Sequence, residues 1–242
     1  MEAATYLASI RADSDRLVRA AVGDLHAPAA GCPGWTVSDV VEHLAVVYLD
    51  KIAQTRLLRE PSPWPPPAPP DPVGWLTDAR DELVDLFAQL GPAAPSHTWH
   101  APDQTVGFWL RRMALETAVH AGDVTAAFGE RGTVDMALAV DGIDEVLEVM
   151  LAGDWSDAPQ PGPDHQVRLL AGGRSWLISL TTELVTVDRD PLPPGPAEGV
   201  VEATASDAFL WLWRRLPDEA VGRRGDQAAV ARLRDWMGVV TG

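Results

Sequence analysis

The sequence predicts a mostly α-helical protein with a smaller α+β domain at its C-terminal end. A helical bundle of four helices is expected over residues 1–155, and a sheet with helices on one face over residues 156–242. Three observations carry this prediction. Apolar residues recur at helical spacing in successive segments as far as about Leu151. The stretch GDWSDAPQPGPD that follows has the Gly/Pro/Asp-rich composition of a domain junction. Beyond it the pattern changes to short runs rich in β-branched and aromatic residues.

Taken in order, residues 3–25 place Leu7, Ile10, Leu17 and Ala21 on one helical face, with Arg11, Asp13, Asp15 and Arg19 on the other. The turn AAGCPGW leads into a second helix with a legible start. Thr36 suits the N-cap, Asp39 the reciprocal position of a capping box, and Trp35 with Val40 a hydrophobic staple. Val40, Val41, Leu44, Val47 and Tyr48 form its buried arc, within which His43 also falls. The proline tract of residues 59–72 can form neither helix nor central strand, and reads as a stiff extended connection between helices. A third helix is expected from about Pro72 to Leu90, and a fourth within GFWLRRMALETAVHAGDVTAAFG, residues 107–129. A further helix runs from about Val134 to Leu151. After the junction come the strand candidates HQVRLLA, RSWLISL and ELVTVDR, the first two joined by the hairpin turn AGGR. GVVEATAS is a fourth strand candidate, followed by two helices in DAFLWLWRRL and DQAAVARLRDWM.

Composition narrows the function classes. The 242 residues, 46% of them hydrophobic, suffice for one large core or two modest ones. A net charge of −16 without any Lys/Arg-rich run argues against nucleic acid and against an anionic membrane surface, both of which repel such a chain. No apolar leader and no run of membrane-spanning length is visible, so a soluble cytoplasmic protein is expected, with a monomer as the default. The single cysteine, Cys32, excludes an intramolecular disulfide framework, and its place in the loop before the second helix does not suggest a catalytic thiol. Ten tryptophans read first as core and loop-covering residues, and second as the lining of a ligand cleft.

The chemistry centres on the fourth helix. Glu116 and His120, four residues apart, lie on one face and can converge on a single point; Asp123 follows three residues later. A carboxylate and an imidazole directed into a core must satisfy each other or share a third partner. His43, from another helix of the bundle, is either a hydrogen-bonded core residue or a third ligand. Two imidazole nitrogens and a carboxylate with open positions form a ligand set suited to catalytic zinc or ferrous iron. The loop histidines His97 and His100 have HxxH spacing without a third ligand, and are set aside.

PGWTVSDVVEHL, LETAVHAGDVTAAFG and SDAFLWLWRRLP, in that order, resemble the mycothiol-dependent maleylpyruvate isomerase family, within the DinB-like metal-binding superfamily. The resemblance covers nearly the whole chain. It implies a DinB-like bundle over residues 1–155 and a sterol-carrier-like domain over residues 156–242. His43, Glu116 and His120 then take the positions of metal ligands, usually zinc. The implied activity is that of an actinobacterial enzyme using mycothiol as thiol cosubstrate. A metal-bound thiolate adds to an electrophilic small molecule, and the enzyme acts as an S-transferase or a cis-trans isomerase. Asp123 matches the family's aspartate. It is read as an acceptor orienting His120, as a contact for the thiol, or as an exposed carboxylate. Arg215 lies where relatives often have an arginine after the apolar helix, suited to a substrate carboxylate, with Arg214, Arg223 and Arg224 as rivals. Many relatives have bulky residues where this chain has Ala121-Gly122, which predicts a roomier site or a different thiol contact. Two further readings stand beside this one: a non-catalytic protein binding a small ligand, and hydrolysis by a metal-activated water.

Overall fold

The computed structural model describes residues 1–190 and 195–241. The chain divides into two compact units, Met1–Val134 and Asp135–Gly242.

The first unit is a four-helix bundle of α1 (Ala3–Ala21), α2 (Val37–Leu57), α3 (Pro72–Leu90) and α4 (Val106–Ala126). Within it α1 packs on α4 and α3, and α2 on α3 and α4. The expected start of α2 is present in full. Asp39 N–H donates to Thr36 Oγ1 at 3.3 Å while Thr36 N–H donates to Asp39 Oδ2 at 2.7 Å, so each residue satisfies a donor the other leaves over. Asp71 caps α3 by accepting from Gly74 N–H, with Pro72 at the first helical position where no donor is needed. Ile10, Leu17, Val41, Leu44, Leu76 and Leu83 fill the core. Tyr48 is fully buried and shares a 2.5 Å hydrogen bond with Thr117, tying α2 to α4. The amphipathic pattern expected of α4 understates its burial: Val119 to Thr125 are buried without interruption.

The second unit begins earlier than residue 156. The helix α5 (Met136–Glu145), expected to close the N-terminal domain, belongs to it. It packs against the helix Ala205–Leu212 of the same unit, and a polar tether adds to this: Asp144 accepts from Trp176 Nε1 at 2.8 Å and from Arg174 Nη1 at 3.0 Å, both on a strand of the sheet. The helix continues as a π-helical turn over Val146–Leu151, where Glu148 receives both Nε and Nη2 of Arg189.

The six strands among the described residues are β1 (Gly153–Asp154), β2 (His165–Ala171), β3 (Arg174–Leu180), β4 (Leu184–Asp190), β5 (Gly199–Ala203) and β6 (Gly222–Gly225). They form one sheet in the order β1-β4-β3-β2-β5-β6, antiparallel except for the parallel pair β2–β5. The β2–β3 hairpin turns through Gly172 and Gly173, both at positive φ, as AGGR predicts. Trp176, Ile178 and Leu180 alternate along β3 and are buried. Helices α6 (Ala205–Leu212) and α7 (Gln227–Val240) pack on β2 and β5. The edge strands β1 and β6 escape a reading by hydrophobic pattern, because GD and GRRG contain no apolar residue.

Candidate metal centre

The bundle brings together three of the predicted residues. His43 projects from the first half of α2, and Glu116 and His120 from adjacent turns of α4. Glu116 Oε1 lies 3.3 Å from His43 Nε2 and 3.2 Å from His120 Nε2, so both imidazoles address one oxygen. The two rings meet edge to face, with centroids 5.1 Å apart. The three ligand atoms lie within 4.8 Å of one another. Ligands at about 2.0 Å around a tetrahedral ion stand roughly 3.3 Å apart, so the donor set, spacing and convergence fit a zinc-like ion.

The other groups here hold these side chains in place. Arg112, one turn before Glu116 and almost fully buried, donates from Nη2 to Glu116 Oε2 at 3.1 Å. This leaves Oε1 to face the histidines. His120 Nδ1 lies 3.0 Å from Asp123 Oδ2, and Asp123 is 1% exposed. With Nδ1–H donated to that carboxylate, Nε2 is the nitrogen left to face Glu116 and His43; its proton bonds Glu116 here, and its lone pair would be the one offered to a metal. Asp123 therefore stands buried behind His120, and the exposed-carboxylate reading is excluded.

Charge is balanced in the same way. Burial by itself would raise the Glu116 carboxyl, but hydrogen bonds from His120 and His43, with the charges of His120 and Arg112, hold it well below the usual carboxylate range. Burial by itself would lower His120, and its hydrogen bonds to Asp123, Cys32 and Glu116 push it well above the usual imidazole value. The ion-free site is thus a proton-filled charge network, in which protons occupy the places of a cation.

Sequence reasoning missed two members. Arg112 was visible in principle as the i,i+4 partner of Glu116. Cys32 was not: it stands 91 residues from Asp123, and its Sγ–H donates to Asp123 Oδ2 at 3.3 Å. Cys32, His120 and Asp123 make a second group of three possible ligands, sharing His120 through its other nitrogen. Beside the Ala121-Gly122 pair the backbone of Gly132 passes close: a Cβ added at Gly132 would lie 3.1 Å from Gly122 Cα, whereas one added at Gly122 would make an ordinary 3.7 Å contact with Gly132 Cα. His97 and His100 stay outside both groups; His100 stacks on Phe108. Arg215 belongs to the second unit, where its Nη1 donates to the Trp213 carbonyl. Of its rivals, Arg223 pairs with Asp218 and Arg224 with Glu202.

On the other side of His43 opens a cleft of about 550 Å³ within the bundle unit. Trp35, Trp75, Asp39, Glu42 and Pro66 line it together with His43. The proline tract, expected only as a connection, thus supplies part of a wall. No helix among the described residues is long and apolar enough to cross a membrane.

Comparison with known proteins bears on the fold and the family. Residues 7–125 match the family described as the mycothiol maleylpyruvate isomerase N-terminal domain. The crystal structure of the mycothiol-dependent maleylpyruvate isomerase shares 16% identity with this chain, covers 95% of it and 94% of its own length, and superposes with a TM-score of 0.61. A histidine-to-alanine mutant of that enzyme gives 15% identity, the same coverage and a TM-score of 0.62. At such identities the likeness shows a shared fold. No curated protein matches the sequence. By its N-terminal unit, over residues 7–125, this chain belongs to the mycothiol maleylpyruvate isomerase family.

Proposed function

We propose that the protein is a metal-dependent enzyme that activates a low-molecular-weight thiol, mycothiol by family, for addition to an electrophilic small molecule. The product is either an S-conjugate or a cis-trans isomer from which the thiol is expelled again. The observation that carries this reading is the convergence of His43 Nε2, Glu116 Oε1 and His120 Nε2, with His43 also bordering an open cleft. An ion held there would keep positions free on a side a ligand can reach. The Cys32, His120 and Asp123 group offers less, because Asp123 is already engaged by His120 Nδ1–H and by the Cys32 thiol.

When bound, a zinc ion would lower a thiol's pKa enough to present a thiolate at neutral pH. The chain's own residues have separate tasks. Glu116 and the two imidazoles hold the ion, and Arg112 fixes which carboxylate oxygen takes part. Asp123 sets the His120 tautomer and stiffens its ring. The bundle walls exclude bulk water from that side of the site, strengthening the local electrostatics. Arg215 is assigned to an acidic group of the electrophile on the strength of family position.

The test is turnover of a panel of electrophilic olefins and epoxides by the purified protein with mycothiol. Activity that is abolished by chelation, restored by zinc and absent without thiol is expected. Turnover by metal-loaded protein without thiol would replace this reading with hydrolysis. Ligand binding untouched by chelation, with no turnover of any electrophile, would replace it with a non-catalytic binding protein.

A further inference from the structure

Asp123 Oδ2 receives two protons whose places a metal ion can take. His120 Nδ1–H donates to it at 3.0 Å and the Cys32 thiol at 3.3 Å, and Cys32 also hydrogen-bonds the His120 ring. Sγ, Nδ1 and a carboxylate oxygen thus surround one point, all within 4.8 Å of one another. Donors at about 2.0–2.3 Å around a tetrahedral ion stand roughly 3.3–3.6 Å apart, so the three need only small shifts to bind one cation. The loop before α2 holds the cysteine in place. Cys32 N–H donates to the Ala29 carbonyl and the Cys32 carbonyl accepts from Trp35 N–H, each at 2.9 Å, and Ala29 N–H donates to the Trp35 carbonyl at 2.9 Å. A ligand fixed in this way loses little further freedom when an ion binds.

Charge and donor chemistry select the occupant. A divalent cation bound to Sγ and Nδ1 releases one proton from each to solvent, two protons for two positive charges, and leaves the charge of the buried group unchanged. A monovalent cation would leave that group one charge more negative, away from water. Magnesium and calcium require oxygen ligands, which two of the three donors are not. Zinc is served by His43, Glu116 and His120, where positions stay open beside the cleft. A divalent cation softer than zinc gains most from a thiolate, which that set lacks.

The two sets share one imidazole, and the sharing makes them exclusive. In the ion-free ring Nδ1–H points to Asp123 and Nε2–H to Glu116, the latter at 3.2 Å. An ion on Nε2 leaves the Nδ1 proton on Asp123. An ion on Nδ1 leaves the Nε2 proton on Glu116, and the His43, Glu116 and His120 set then lacks one of its lone pairs. We infer that Cys32, Asp123 and His120 Nδ1 form a second metal site, for a thiophilic divalent cation such as cadmium, whose occupation expels the ion from the His43, Glu116 and His120 set. The inference rests on the thiol-activating reading only in taking His120 Nε2 as a ligand of that ion.

The test titrates cadmium into the full-length, zinc-loaded protein in thiol-free buffer. Thiolate ligation is read from the ultraviolet sulfur-to-cadmium charge-transfer band, and both metals by plasma mass spectrometry after gel filtration. The band should saturate at one cadmium per chain while zinc leaves in equal amount. Cys32→Ser should lose the band and need at least about tenfold more cadmium to expel zinc; if that variant fails to fold, Cys32→Ala carries the same expectation. His43→Ala, which removes a ligand of the other set alone, should keep the band. Cadmium bound without the band would overturn the inference, as would equal displacement of zinc in Cys32→Ser. Zinc and cadmium held together, one of each per chain, would also overturn it. The band in a protein that holds no zinc and turns over no electrophile condemns the thiol-activating reading alone. Zinc-restored, thiol-dependent turnover without the band condemns the second site alone.

Discussion

Replacing Asp123 tests how the site is held rather than which residues touch the ion. Its Oδ2 is the acceptor for His120 Nδ1–H at 3.0 Å and for the Cys32 thiol at 3.3 Å, at 1% exposure. Asp123→Ala removes that acceptor, frees the imidazole to rotate or change tautomer, and leaves His120 less basic. Loss of such a buried partner lowers metal affinity by about 10- to 100-fold, or about 1.4–2.7 kcal/mol. The metal-free protein should lose a further ~1–3 kcal/mol of stability for each donor left unpaired. Asp123→Asn retains an oxygen acceptor and should lose less than tenfold in affinity. Zinc competition against a chromophoric chelator measures the affinities, and urea melts of the metal-free proteins measure the stabilities. Unchanged zinc affinity in Asp123→Ala, with the fold intact, would refute the assignment of Asp123 as the orienting group.

Four further outcomes follow from the same geometry. Cys32→Ser should retain a full complement of zinc, since Cys32 stands outside the His43, Glu116 and His120 set; loss of the metal, read by plasma mass spectrometry, would favour the Cys32, His120 and Asp123 group instead. Arg112→Met leaves Glu116 Oε2 without its buried cation, and should lower the urea-melt stability of the metal-free protein by about 2–4 kcal/mol, with zinc restoring part of it. Tyr48→Phe should lower stability by about 1 kcal/mol with unchanged zinc content, because Thr117 Oγ1 keeps its bond to the Met113 carbonyl. Arg215→Gln should raise KM for an acidic electrophile while leaving zinc binding and the KM for the thiol as they were, a split that steady-state kinetics with both substrates varied would show.

Much of the fold can be read from local chemistry. The start of α2 follows from Thr36 and Asp39, and the β2–β3 turn from Gly172-Gly173. Both signals are self-contained, needing nothing from distant parts of the chain. The division of the chain was less accessible, because what draws α5 into the second unit is distant in sequence: its packing on α6 and Asp144 meeting Trp176 and Arg174 across 30 or so residues. At the candidate site, Glu116 and His120 are fixed by the helical repeat, and their meeting with His43 is anticipated by family resemblance. The bond from Cys32 to Asp123 leaves no local trace, since it depends on how the loop before α2 folds over α4. Nor does composition show that a side chain at Gly132 would be crowded by the backbone of Gly122, a close approach with no periodic signature.

The central claim is that His43, Glu116 and His120 hold a metal ion, and the most direct measurement is metal stoichiometry. Plasma mass spectrometry of the purified protein, after zinc loading and exhaustive dialysis, should give close to one zinc per chain. A His43→Ala/His120→Ala double mutant with an intact helical circular dichroism spectrum should give close to none. No metal in the parent protein, or equal zinc in both proteins, would contradict the account and leave Glu116 and the histidines as a structural hydrogen-bond network.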